Sequence, residues 1–138
     1  MKFTEYLTSY YAITILLIVV ITAVIVPYPT EDVPEWKIVV IDENFLPGGA
    51  RPVVQKVENP YFGDSTSYSE STDKNGFVTF PSRYRWSGIA RRLTASAATL
   101  LGWNTATTAT ITAESPSCSG IVTWTTGQDS QPERLVCP

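Results

Sequence analysis

The run Leu7–Tyr28, LTSYYAITILLIVVITAVIVPY, constrains this chain more than any other stretch. From Ala12 to Val26 it carries no charge and only two Thr. A helix needs roughly 20 apolar residues to cross a hydrocarbon core of about 30 Å, and a run of this kind meets that length. Tyr10 and Tyr11 stand at one end and Tyr28 at the other, where amphipathic rings suit the headgroup layer. Pro27 and Pro29 stop the helix as the apolar run ends. The run therefore predicts a retained transmembrane helix over residues 7–27. A cleaved signal peptide would need a shorter apolar core and small residues at its cleavage site, and here Val24, Ile25, Val26 and Pro27 fill that place.

Orientation follows from charge. Residues 1–6 form a short stub with Lys2, whereas Glu31, Asp32 and Glu35 follow the run against a single Lys37. Positive charge favours the cytoplasmic side. The expected topology is a single pass through a bacterial inner membrane, amino terminus cytoplasmic, the remainder periplasmic or extracellular. Two cysteines agree with that oxidising space. Thr14 and Thr22 are two turns apart and share a helix face. Such residues often mark a face that meets another helix in lipid, so both are candidate partner contacts. The plainer reading is a hydroxyl bonded to its own backbone.

The chain has 138 residues and a formal net charge of −3, so removing the run leaves enough for one domain. The balance gives no general attraction to nucleic acid. There is no His, which removes the commonest general base and the commonest metal and haem ligand. Residues 28–36 read as a proline-rich linker in an extended, semi-rigid form. Residues 37–138 read as the folded domain. Trp36–Ile41, Ala50–Val57 and Phe77–Phe80 suggest strands, and Asp42–Gly49 and Thr72–Gly76 suggest turns. Glu58–Ser71 reads as a loop with a short strand around Ser67–Ser69. Ile89, Leu93, Ala97, Leu100 and Leu101 recur at helical spacing, and Gly102 offers a C-cap, which predicts one short helix packed on a sheet. Trp103–Ala113, Gly120–Thr126 and Glu133–Cys137 are Thr-rich or β-branched and favour strands.

The order strand, acidic turn, Pro-Gly-Gly-Ala, strand over Val40–Ala50, followed by Thr-Asp-Lys-Asn-Gly-Phe-Val-Thr-Phe over Thr72–Phe80, resembles the carboxypeptidase regulatory-like, or transthyretin-like, β-sandwich modules. Gly49 is an extra residue where that pattern runs from Gly to Ala, and nothing after Phe80 carries the signature. The resemblance implies a sandwich used for interaction. Members that hydrolyse purine breakdown products use His and a distinctive carboxyl-terminal tetrapeptide, and this chain has neither. The fold class expected is therefore mainly β: an antiparallel sandwich, transthyretin-like or immunoglobulin-like, with one short helix, behind a transmembrane helix.

Cys118 and Cys137 flank the turn Thr126–Pro132, so antiparallel strands leaving it would bring them opposite each other, which predicts a disulfide. Arg83, Arg85, Arg91 and Arg92 gather charge beside Tyr84 and Trp86. Arg and Trp are frequent interface anchors, so these six are candidate contacts to a protein partner or to lipid phosphates, against a solvated helix start. Asp42, Glu43, Asp64 and Asp73 lack the spacing of a calcium loop and read as turn carboxylates. No Ser with a His base, no phosphate loop and no haem-attachment motif appears in the sequence. The expected role is a non-catalytic accessory subunit, without cofactor, bracing an integral membrane complex in the bilayer, a photosynthetic or respiratory one before others. The alternative is an anchored binding module for a peptide or carbohydrate.

Overall fold

The computed structural model describes residues 2–42, 44, 46, 49–113 and 118–137, residues 2–9 as backbone only. The chain opens with helix α1, Lys2–Ile25, so the part of the stub that is described is helical. Leu16 to Ile21 are six consecutive apolar residues, each 48–64% exposed. Six residues turn through more than a full circle at 3.6 per turn, so α1 is bare and apolar on every side.

The transmembrane reading of residues 7–27 is overturned. Among the described residues no helix is long and apolar enough to cross a membrane. The single-pass topology rested on that span and falls with it.

The stretch read as a linker is largely a strand. β1, Tyr28–Val33, pairs antiparallel with β6, Arg83–Ser87, in a two-stranded ribbon with a register shift between Glu31 and Val33. Proline is admitted at such an edge because it gives up only one ladder bond. The folded body therefore begins at Tyr28, ahead of the boundary at residue 37.

The body holds two further sheets. β2, Trp36–Ile41, lies between β5, Phe77–Phe80, and β9, Arg134–Val136, antiparallel to the first and parallel to the second. β3, Pro52–Asn59, lies between β4, Asp64–Ser71, and β7, Thr108–Ala113, and β7 pairs onward with β8, Ile121–Thr125. Strand periodicity decides what is buried. In β7 the alanines and Ile111 point inward while every Thr points out, and in β2 Trp36, Ile38 and Val40 point inward. These side chains meet Val53, Val57, Phe80, Trp124 and Leu135 in one core between the sheets. Trp36 finds the partner its indole requires, donating from Nε1 to the Pro132 carbonyl at 2.6 Å.

The turns use their acids as local acceptors. Asp73 Oδ1 accepts from the backbone N–H of Asn75 and Phe77, and Asp42 Oδ1 accepts from Asn44 and Leu46. Glu43, Pro47 and Gly48 of the first turn lie outside the described residues. The segment Glu58–Ser71, read as a loop with a short strand around Ser67–Ser69, is mostly β4: the strand runs from Asp64 to Ser71 and pairs with β3 along its whole length.

Helix α2, Ile89–Leu100, ends as expected at Gly102, whose φ of 83° suits a left-handed cap. Trp103 N–H bonds the Ala98 carbonyl and Gly102 N–H that of Thr99, the paired bonds of a Schellman end. Its packing differs from the expectation. Only Ala98 is buried, and Leu93 and Leu100 are 64% and 90% exposed. The apolar face thus points away from the sheets. The helix start instead meets the end of α1: a Cβ on Gly88 would lie 2.9 Å from the Val24 carbonyl oxygen and 3.1 Å from that of Ile25.

Candidate functional site

The segment singled out for its arginines is β6 and the start of α2, and the strand sorts its side chains by parity. Arg83 and Arg85 turn inward and are half-buried, whereas Tyr84 and Trp86 are 59% and 64% exposed. The arginines are engaged within the fold, and the aromatics face outward.

Arg85 donates from Nη2 to Asp32 Oδ2 at 2.7 Å, and its Nε stands 3.9 Å from Asp64. The other oxygen of Asp32 accepts from Thr107 at 2.7 Å. Asp32 thus fastens the ribbon to the residue that leads into β7. Arg92 donates to the Tyr28 carbonyl at 2.8 Å and lies over the Tyr28 ring, and Arg91 lies 4.3 Å from the Phe62 ring centre. The Arg83 guanidinium lies 3.6 Å from the centre of the Tyr68 ring. Its Nε is buried and has no hydrogen-bond partner.

A groove of about 480 Å³ runs between the ribbon and β4. Arg83, Arg85, Asp32, Asp64, Ser65 and Thr66 are among its lining residues, so it offers donors and acceptors side by side. Sequence reasoning missed Asp32, Asp64 and Tyr68 as members of this group. Asp32 lay in the supposed linker, Asp64 in a supposed loop and Tyr68 in the short strand expected around Ser67–Ser69. The alternation Arg-Tyr-Arg-Trp over 83–86 was itself a strand signal that places alternate residues on opposite faces.

Thr14 and Thr22 are exposed on α1, and the Thr14 hydroxyl donates to the Tyr10 carbonyl of its own helix at 2.9 Å. The plainer reading of that residue holds. Cys118 and Cys137 are joined, with Cα atoms 4.5 Å apart. The pairing was anticipated but its route was not: Cys118 stands before β8 and Cys137 after β9, and those strands belong to different sheets. The bridge therefore staples one sheet to the other. Disulfides of this kind form and persist in oxidising compartments. Among the described residues no three His, Cys, Asp or Glu side chains cluster as a metal site would.

Comparisons with family models, with curated proteins and with solved structures return no match.

Proposed function

We propose that this chain is a non-catalytic structural subunit, held in a larger assembly whose apolar helices surround α1. The exposure of Leu16 to Ile21 around the whole circumference of α1 carries this reading. A helix apolar on all sides is stable only where something apolar covers it. The body has its own core and leaves α1 bare, so the cover comes from outside the chain. The interior of an integral membrane complex has the required chemistry. The contact continues onto the body through α2, whose start meets the end of α1 and which carries the outward Leu93 and Leu100, and through the exposed Tyr84 and Trp86. The resemblance to transthyretin-like modules supports an interaction role for the sandwich.

Affinity capture of the full chain from its native host in mild detergent tests the proposal. A defined set of proteins in fixed ratio is expected, and substituting Leu17 and Val20 together by Glu should abolish their recovery while the disulfide-linked body stays folded. Recovery of the chain alone, or an unchanged set with the double substitution, would overturn it.

A second reading, a binding module, is favoured by the groove between the ribbon and β4.

A further inference from the structure

The groove beside β6 holds a cation that the fold leaves unanswered. Arg85 and Arg92 have acceptors, Asp32 for the first and the Tyr28 and Ser87 oxygens for the second. Arg83 is pinned flat against Tyr68, and its buried Nε has none. Among the described residues no carboxylate lies within ion-pair distance of it. The residue nevertheless lines the groove, so a cation without a paired carboxylate borders that space. The groove in front of it, about 480 Å³, has the size of a small-ligand site.

From these observations we infer that the groove binds an acidic saccharide, with a sugar carboxylate on Arg83. A planar carboxylate suits a guanidinium fork already fixed by stacking. The rest of the lining selects against a more highly charged group, because Asp32 and Asp64 stand in the same groove. A phosphate dianion would bring about two charges against these carboxylates, whereas a ring with one acid and several hydroxyls brings one. Asp64, Ser65 and Thr66 are exposed at the start of β4 and supply acceptors and donors for those hydroxyls. The inference goes beyond the structural role and does not depend on what covers α1.

The test is a titration of the full chain, in a detergent that carries no sugar, followed by tryptophan fluorescence, with Trp86 beside the groove as reporter. The probe is methyl galactopyranosiduronic acid, which carries a single carboxylate, with its methyl ester, inorganic phosphate and a glutamate-rich peptide as comparators. Saturable binding of the acid is expected, with the ester about tenfold weaker, as loss of one charge-assisted fork implies. Arg83→Met should weaken the acid to the level of the ester. Ser65→Ala and Thr66→Val, at exposed positions, should each weaken it in a chain that still folds. No saturable signal, equal binding of acid and ester, or binding of the peptide in place of the saccharide would overturn the inference. So would full binding by the Ser65 and Thr66 variants, whatever the folding of the Arg83 variant.

Discussion

Gln55 is the least expected residue of the core. It stands in the middle of β3 between Val53 and Val57, is fully buried, and neither its Oε1 nor its Nε2 has a hydrogen-bond partner. Burying an unpaired amide costs about 1–3 kcal/mol, and an apolar group of the same shape avoids that cost. Gln55→Met should therefore raise stability by roughly that amount, read as a higher midpoint in denaturant unfolding. A lower midpoint would show that the amide has a partner, such as an ordered water. On the surface of the same strand, Lys56 Nζ lies 2.7 Å from Glu58 Oε1. The hydrogen bond from Lys56 holds the Glu58 carboxyl below its ordinary range, with the Lys56 charge and a hydrogen bond from Ser65 adding to it against slight desolvation. A depressed folded-state value means stabilisation that is present above the ordinary glutamate range and lost as pH falls through the lowered value. Because the pair is exposed, the effect on stability is small, and the sensitive readout is the residue itself. In a carboxyl NMR titration Lys56→Met should move Glu58 upward; an unmoved titration would contradict the pairing.

At the scale of elements, the ribbon of β1 and β6 is joined to the sandwich by few polar contacts; Asp32 carries one of them, accepting from Thr107 at 2.7 Å, while its other oxygen holds Arg85 of the ribbon itself at 2.7 Å. Hydrogen bonds to charged groups contribute about 1.5–3 kcal/mol, so Asp32→Asn should lower stability by around 2 kcal/mol. Hydrogen exchange should rise first in Tyr28–Val33 and Arg83–Ser87; a uniform rise over all strands would show that the ribbon does not open separately. What the sequence made legible follows the same physics. β2 and β5 announce themselves by buried alternation, and α2 by its spacing and its cap. β1 was hidden because prolines point to a linker until a partner strand is known. β4 was legible only around Ser67–Ser69, because Ser and Thr line both faces of an edge strand and no apolar period marks its full length. The arginines of the groove were visible as a cluster, but their direction depends on β6 and their partners lie on β1 and β4, far along the chain. The disulfide was legible as a pair, while its role between sheets needed the parallel pairing of β9 with β2.

At the scale of the whole molecule, two bodies of opposite character share one chain. The sandwich buries Trp36, Phe80, Ile111 and Leu135 completely, closes its sheets with Cys118–Cys137 and has polar outer faces. α1 does the reverse, presenting apolar side chains to every direction. The two meet where Gly88 lets the end of α1 approach the start of α2. The proposed role is to contribute position and stability to an assembly, and its central claim is that protein covers α1. The most direct measurement places a photo-activated benzophenone amino acid at position 17, and separately at exposed Ile121 on β8, in the native host. The account predicts a discrete protein adduct from position 17 that is absent from position 121; adducts to lipid alone from position 17, or none, would contradict it.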